Sequence, residues 1–298
     1  MQGNRDGSAE LLGASRLSEA TKDRQGLIAA AAVPMVTYVI PCRNEADNID
    51  PLVARLLAAA GPLLDQRGKG RSELASVIEI LFVDDSEDDT PGVVRKLKAE
   101  GLPVDVLHRE VGNRPGGMSG ALAAGFAQAR GTVICVLDSD LQHPPELTPE
   151  LILPIARGDA EIAIASRYIP GGSAAGLGGR WRLAASVGSR MIMHVLIPRT
   201  RKLTDPGGNF FAFQRTLLKG VDLRPQGFKM LMEILAKTSW TNSTEVPYVF
   251  ENRNAGTTSF SAREVWRFFQ HLGRLSTPAA RLGVRRDRRR RADTAEAG

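Results

Sequence analysis

The chain is 298 residues long, with 43% hydrophobic and 24% charged side chains, which is enough apolar material for a sizeable core and excludes a disordered or fibrous protein. Its formal charge of +6 sits in one stretch: residues 281–291 hold seven Arg against Asp287, so the other 287 residues sum to zero and the body has no general affinity for a polyanion. Two cysteines, Cys42 and Cys135, exclude a disulfide-stapled scaffold, and the longest uncharged run, the 17 residues Gly26–Cys42, contains Pro34 and Pro41 and falls short of the ~20 residues of a membrane span.

Residues 1–32 read as a flexible lead of Gly, Ser, Ala and charge, with no secretory signal pattern, so a cytoplasmic protein is expected. From there the chain alternates. Val36–Pro41 is a β-branched strand, and Ala46–Ala60 is a helix with Ile49, Leu52, Val53, Leu56 and Leu57 at helical spacing. Val77–Val83 is a second strand, Pro91–Glu100 a helix and Val104–Leu107 a strand. The glycine-rich stretch Gly112–Gly120 leads into a helix over Ala121–Arg130, followed by a buried strand, Thr132–Leu137. Glu146–Arg157 is a helix and Ala160–Ser166 a strand. Strand–helix alternation with near-continuous apolar strands predicts an α/β fold, a mostly parallel sheet covered by helices on both faces. The second half differs: a long helix over Arg180–Ile197, a strand Asn209–Phe213, a helix Phe228–Lys237 and a strand Thr244–Phe250 complete the sheet as a mixed extension. The domain then spans 33–260, followed by an amphipathic helix over 261–277 and an Arg-rich disordered tail over 278–298.

In such sheets ligands bind beyond the carboxyl ends of the strands. Polar residues follow four of them: Arg43-Asn44-Glu45, Asp84-Asp85, Asp138-Ser139-Asp140 and Arg167. Asp138 and Asp140, one residue apart after an apolar strand, offer hard oxygen ligands for Mg²⁺ or Mn²⁺, with Gln142 two residues on. His143 could ligate a metal, but its place before Pro144-Pro145 suits it to shaping the turn. Gly112–Gly120 matches neither a P-loop nor G-x-G-x-x-G, and is read either as close helix packing or as backbone approach to a nucleotide phosphate. Arg167 and Arg253 are candidate phosphate partners, since guanidinium presents a fixed fork to phosphate oxygens. Cys42 and Cys135 read as small hydrophobes.

Six ordered motifs carry a resemblance: V-I-P-C-R-N-E-A-D-N-I, F-V-D-D-S-E-D-D-T, D-S-D-L-Q-H-P-P-E, S-R-Y-I-P-G-G, D-P-G-G-N-F-F-A-F and E-V-P-Y-V-F-E-N-R-N-A-G. From about Val36 to Ser259 the chain resembles the family 2 glycosyltransferases, most closely the dolichol- or polyprenol-phosphate mannose synthases. The resemblance implies a GT-A-type nucleotide-sugar-binding fold and transfer of a sugar, mannose from GDP-mannose in the first instance, to a polyprenyl phosphate. It also implies roles residue by residue. Pro41, Asn44 and Glu45 would line the nucleotide pocket, and Asp84 and Asp85 would hold base and ribose. Asp138, Asp140 and Gln142 would hold the metal on the donor pyrophosphate. Arg167 and Arg253 would meet donor and acceptor phosphates, with Asp205 and Glu233 near sugar and acceptor.

A lipid phosphate is a deprotonated nucleophile near neutral pH, so the implied transfer needs no general base and inverts the anomeric carbon. The chain departs from the resembled pattern at Thr258-Ser259, where Ser259 stands in place of a Lys, and after Asp84-Asp85, where the usual Gly is absent. A UDP-sugar donor giving a glucosyl or N-acetylhexosaminyl lipid therefore stays open, as does a non-lipid acceptor with Glu233 or Asp205 as base, and a silent nucleotide-sugar sensor. Ala262–Leu275 places Val265, Phe268, Phe269, Leu272 and Leu275 on one face beside Trp266, with arginines elsewhere. Such a helix suits either an anionic membrane surface, here the cytoplasmic face, or packing on the protein body. An integral-membrane partner is a further expectation; nucleic acid is not.

Overall fold

The computed structural model describes residues 34–70, 73–177, 180–224 and 229–250. The chain partitions into two contact units, Met1–Val33 and Pro34–Gly298, and the second holds every described residue. The expected lead over 1–32, the loop bearing Arg253, the helix over 261–277 and the tail over 278–298 lie outside the described residues.

One seven-stranded sheet organises these residues: β1 (Val36–Cys42), β2 (Ile78–Asp84), β3 (Val104–His108), β4 (Val133–Val136), β5 (Ile162–Ser166), β6 (Phe211–Gln214) and β7 (Ser243–Pro247). The order is β3-β2-β1-β4-β6-β5-β7. β6 runs antiparallel to β4 and β5, and every other pair is parallel. β1, β4 and β5 are buried along their whole length, which is why each reads as an unbroken apolar run instead of an alternation. The polar exception in β1, Thr37, gives its hydroxyl proton to Glu79 Oε2 at 2.6 Å and accepts the Gly131 N–H at 2.8 Å, so its burial leaves no orphaned group.

Helices α1 (Ala46–Ala59), α2 (Gly61–Arg67), α3 (Leu74–Val77), α4 (Thr90–Ala99), α5 (Gly117–Gln128), α6 (Thr148–Ala156), α7 (Arg180–Leu196) and α8 (Met230–Lys237) complete the described fold. Helices cover both faces. α1 buries Ile49, Leu52, Val53 and Leu56 with Tyr38, Ile40, Ile80 and Phe82, and α6 adds Leu151 and Ile152 to that core. Across the sheet, Leu122 and Phe126 of α5 and Leu231 and Ile234 of α8 pack with Val39, Val83, Phe211 and Phe213. Each such fully buried side chain contributes about 1.5–3 kcal/mol relative to exposure. α7 joins through a smaller cluster, Met193 and Ile197 against Met232 and Ala236.

Three differences from the sequence reading have local causes. α2 was not expected, although Pro62 at its first turn and left-handed Gly68 (φ 60°) at its end are ordinary start and stop signals. α5 begins at Gly117, four residues early, because its first turn is held from outside by an arginine described below. β7 stops at Pro247, which has no N–H to continue the ladder, and only a single bridge, Ser173 to Val249, carries the pairing further.

The parallel strands β1 to β5 and β7 all end at one rim, and antiparallel β6 begins there. The register sets Cys42 opposite Asp84, Asp84 opposite His108, Val136 opposite Phe211, and Ser166 opposite Pro247. The polar segments singled out from sequence thus share one edge of the sheet.

Candidate active site

After β4 the chain turns through Asp138-Ser139-Asp140-Leu141-Gln142-His143. Asp140 Oδ1 accepts the Gln142 N–H at 3.1 Å, and Ser139 Oγ donates to the Pro41 carbonyl at 3.2 Å, tying the turn to the end of β1. Leu141 has φ 61° and Asn44 φ 58°; these two are the non-glycine residues with positive φ among the described residues, and both lie on the rim. Strained backbone is retained where surrounding structure over-determines it, most often at functional sites. His143 Nδ1 accepts the Asp138 N–H at 3.1 Å, and its ring stacks on Phe210 with centroids 5.1 Å apart, beside Tyr248 and Phe250. Burial pushes its pKa down to about 4, against the opposing pull of Asp140 and Asp205. A neutral ring whose Nδ1 is spoken for shapes the turn, and the 3.9 Å approach of Asp138 Oδ2 is not an ion pair.

No group of three or more His, Cys, Asp and Glu among the described residues is arranged to hold a metal by itself. The turn instead offers two carboxylates and an amide oxygen. That donor set fits Mg²⁺ or Mn²⁺, which take one or two carboxylates and complete their shell with water and substrate phosphate.

A second corner joins β1, β2 and β3. Asp84 is fully buried: it lies 2.5 Å from His108 Nδ1, accepts from Ser86 Oγ, and receives the Cys42 thiol at 3.4 Å. Burial first, then Asp84, pushes the Cys42 thiol well above its ordinary pKa, and burial does the same for Cys135, so both cysteines are inert hydrophobes. Asp84 therefore has no surface to offer a ligand; it positions Ser86 and His108. Ser86 Oγ in turn accepts the Asn44 N–H at 2.8 Å, and Asn44 Oδ1 accepts the Glu87 N–H at 2.9 Å. Glu45 donates its N–H to Thr90 Oγ1 at 3.0 Å, and its carboxylate accepts from Asn48 Nδ2 at 2.5 Å.

Asp85 is forked by Arg109, Nε to Oδ1 at 2.7 Å and Nη2 to Oδ2 at 2.5 Å. The same guanidinium reaches the Pro115 and Gly117 carbonyls at 3.2 Å each. One arginine thereby fixes the glycine-rich loop and the first turn of α5 against the Asp85 corner. Gly120 must be glycine here, because a Cβ would meet the Pro115 carbonyl oxygen at 1.8 Å.

The third corner follows β5. Arg167 forks Asp205, Nε to Oδ2 at 2.7 Å and Nη2 to Oδ1 at 2.9 Å, with both side chains buried. Burial opposes the Arg167 charge, but the fork onto Asp205 outweighs it and raises the pKa. Glu245 of β7 accepts the Thr204 and Asp205 N–H groups at 2.9 and 3.1 Å and so seats the loop that carries Asp205. Arg167 also lies over the Tyr168 and Phe250 rings, and Tyr168 Oη meets Ser186 Oγ of α7 at 2.7 Å. Glu233 is fully buried, accepting the Arg224 N–H and the Lys237 ammonium at 2.5 Å each.

Pro41, Asn44, Glu45, Asp84, Asp85, Asp138, Asp140, Gln142, Arg167 and Asp205 thus share the rim. Glu233 sits within α8 and braces the 222–224 segment, and Arg253 lies outside the described residues. The sequence reading missed His108, Arg109 and Glu245. His108-Arg109 follows β3 as the other polar pairs follow their strands, so the same rule would have found them. Glu245 carries no local signal.

This is the architecture of the GT-A glycosyltransferases, an α/β sheet with a D-x-D turn at its strand ends. The chain belongs to glycosyl transferase family 2, whose model matches residues 37–232. It is 35% identical over 243 residues to the dolichol-phosphate mannosyltransferase of Pyrococcus furiosus, covering 80% of this chain and 63% of that protein, so it spans less than two thirds of that relative's length. It is 31% identical to the dolichol-phosphate mannosyltransferase of Saccharomyces cerevisiae over 80% of this chain and 86% of that protein. To the undecaprenyl-phosphate 4-deoxy-4-formamido-L-arabinose transferase of Sodalis glossinidius it is 29% identical, over 85% and 71%. Among solved structures, mannosyl-3-phosphoglycerate synthase from Rubrobacter xylanophilus aligns with TM-score 0.58 at 19% identity, covering 84% of this chain and 75% of that one. Glucosyl-3-phosphoglycerate synthase from Mycobacterium tuberculosis, in complex with Mn²⁺, UDP-glucose and phosphoglyceric acid, aligns with TM-score 0.56 at 22% identity, covering 84% and 82%.

Proposed function

We propose that this chain transfers a sugar from a nucleotide sugar to a polyprenyl phosphate, with inversion, and that GDP-mannose is the donor. The observation that carries the acceptor class is the Arg167–Asp205 fork. A sugar or other alcohol acceptor usually needs a general base to remove its proton, and the sequence offers two carboxylates for that role. Asp205, one of two candidates from sequence, has both oxygens in a buried fork; the other, Glu233, is fully buried against Arg224 and Lys237. A phosphate acceptor arrives deprotonated and has no need of either. The relatives named for dolichyl and undecaprenyl phosphates support the same class, and the two mannosyltransferases support mannose.

In this reading Asp138, Asp140 and Gln142 hold a divalent cation, Mg²⁺ or Mn²⁺, which when bound offsets the charge of the leaving nucleoside diphosphate. Pro41, Asn44, Glu45 and Asp85 border the nucleotide; Asp84 holds their corner in place. Arg109 fixes the glycine-rich loop, where the N-terminus of α5 favours phosphate. Arg167, oriented by Asp205, and Arg253 draw the acceptor phosphate to the donor against their mutual repulsion.

The test is a donor panel: radiolabelled GDP-mannose, UDP-glucose and UDP-N-acetylhexosamines, each with Mn²⁺ or Mg²⁺ and polyprenyl phosphate, followed by organic extraction. Label extracted from GDP-mannose is expected. Label from a UDP-sugar alone overturns the donor and keeps the acceptor; no extracted label from any donor overturns the acceptor.

Among the described residues no helix is long and apolar enough to cross a membrane. In the same reading the enzyme works peripherally at the cytoplasmic face, attached through Ala262–Leu275 and the Arg-rich run or through a membrane partner. Flotation with anionic liposomes is expected, and its persistence after deletion of 262–298 would refute attachment by that segment.

A further inference from the structure

His108 ends β3, and the register sets it beside Asp84 as Asp84 is set beside Cys42. Residues paired in a parallel ladder put their side chains on one face, so the three stand in a row across the ends of β1, β2 and β3. Backbone bonds hold those ends abreast: the Asp85 N–H on the Cys42 carbonyl at 2.9 Å and the Arg109 N–H on the Asp84 carbonyl at 2.8 Å. Arg114 spans the same gap, donating to the Ser86 and Arg109 carbonyls.

Within the row the imidazole is oriented from the buried side. Asp84 Oδ1 accepts from the Ser86 hydroxyl, the Ser86 N–H and the Cys42 thiol, and Oδ2 faces His108 Nδ1 at 2.5 Å. A carboxylate accepts, so Nδ1 carries the proton, and in the neutral ring Nε2 is left with a lone pair. Nε2 has no hydrogen-bond partner among the described residues. The Glu110 carboxylate lies 4.0 Å from it on a side chain that is 83% exposed, which puts Nε2 on the solvent side of a ring that is itself 22% exposed. Satisfying Asp84 needs only one donor. An imidazole adds a second polar atom, fixed in direction, at the corner that also holds Asn44, Ser86 and Asp85.

We propose that His108 Nε2 reads the nucleobase of the donor, accepting the imino N–H of guanine or uracil. Adenine N1 and cytosine N3 carry a lone pair at the corresponding edge and would meet Nε2 acceptor to acceptor, so the corner selects keto bases. The inference rests on the nucleotide-sugar reading above and adds to it a specificity-determining residue absent from the six motifs.

Equilibrium binding of GDP, UDP, ADP and CDP, each with Mn²⁺, is measured on the full-length chain and on H108N. It is repeated with the imino-N-methylated form of whichever diphosphate binds best. Asn sets its amide nitrogen near the place of Nδ1, which keeps a donor for Asp84, and has nothing at the place of Nε2. The parent is expected to prefer GDP to ADP, or UDP to CDP, by about tenfold or more, and to lose about tenfold on N-methylation, the size of one unmatched hydrogen bond. H108N is expected to keep the parent's melting temperature, to bind the preferred nucleotide about tenfold more weakly, and to lose no more than about twofold on methylation. A parent without the keto preference overturns the proposal, as does a methylation penalty equal in parent and H108N. An equal loss of all four nucleotides in H108N also overturns it, since that marks a ring that only supports the corner. Should H108N not fold, imidazole nitrogen-15 spectra of the parent decide. The acceptor nitrogen of the ring whose Nδ1 proton is bound to a carboxylate should shift with the nucleotide and stay in place with its N-methylated form; a nitrogen that does not tell them apart overturns the proposal. If the parent binds GDP or UDP but gives no extracted label in the donor panel, the acceptor reading fails and His108 is decided by these same comparisons. A parent that binds no nucleotide overturns both.

Discussion

Arg167 and Asp205 face each other with two parallel bonds, 2.7 and 2.9 Å, across the gap between the end of β5 and the loop entering β6. The pair is buried, so Asp205 compensates a charge that could not otherwise be kept from water. Breaking such a pair from one side leaves an uncompensated buried charge and costs about 3–5 kcal/mol. D205N is expected to lower unfolding free energy by about that amount and to lower kcat/KM by about 10²-fold through misplacement of Arg167. R167K keeps the charge but loses the fork, and falls nearly as far. Denaturant titration with steady-state kinetics checks both; an active, stable D205N would sink the positioning role.

The D-x-D turn predicts a different signature. Asp138 and Asp140 are like charges one residue apart, so removing one relieves repulsion as well as a ligand. D140N is expected to change stability by less than about 1 kcal/mol, while the Mn²⁺-stimulated rate falls by about 10²–10³-fold. A Mn²⁺ titration of initial rate is the measurement. A metal response unchanged in D140N would remove these carboxylates from the metal site, and a chain with no metal-stimulated transfer at all would favour a silent sensor.

How far this was legible in sequence follows from what kind of interaction each feature is. β1, β4 and β5 are buried on both faces, so their runs announce strands, and a parallel sheet places the residues after them on one rim; Asp138, Asp140 and Arg167 were found that way. The direction of β6 was not, because it depends on where α7 delivers the chain rather than on any local pattern. Nor did the sequence distinguish Asp84 from Asp85. The two are neighbours, yet the strand's alternation buries Asp84 against His108 and Cys42 and gives Asp85 to Arg109. Glycine-rich 112–120 held two open readings, and close packing accounts for part of it: Gly120 accommodates the Pro115 carbonyl and Gly125, just beyond, accommodates β1.

That packing is itself testable. A Cβ at Gly125 would sit 2.4 Å from Val39 Cγ1 and 2.8 Å from Val83 Cγ2, so α5 must lift from the sheet. Overpacking of this kind costs about 1–3 kcal/mol. Gly61, at the start of α2, has nothing within 4 Å of its Cβ position and no positive φ. G61A is therefore expected to be neutral or to stabilise by up to about 1 kcal/mol, by restricting the unfolded chain. Matched denaturation curves should show G125A destabilised and G61A unchanged or stabilised; equal shifts would mean that α5 is not seated as closely as described.

His143 supplies the pH dependence. Its pKa is about 4 in the folded chain against 6.5 ordinarily. As pH falls from neutral, the unfolded chain therefore takes up a proton where the folded chain does not, and acid favours unfolding. Stability is unaffected by this group above pH 6.5 and falls as pH drops from about 6.5 to 4, the loss reaching about 3 kcal/mol at pH 4. Measured in chelator, unfolding free energy should fall through that interval with a slope approaching one proton. H143Q keeps an acceptor for the Asp138 N–H but does not titrate, so its profile should be flatter there by that one proton, although its absolute stability is lower for want of the ring stacked on Phe210. A parent and H143Q with parallel pH profiles would show that the ring is not held neutral in the folded chain.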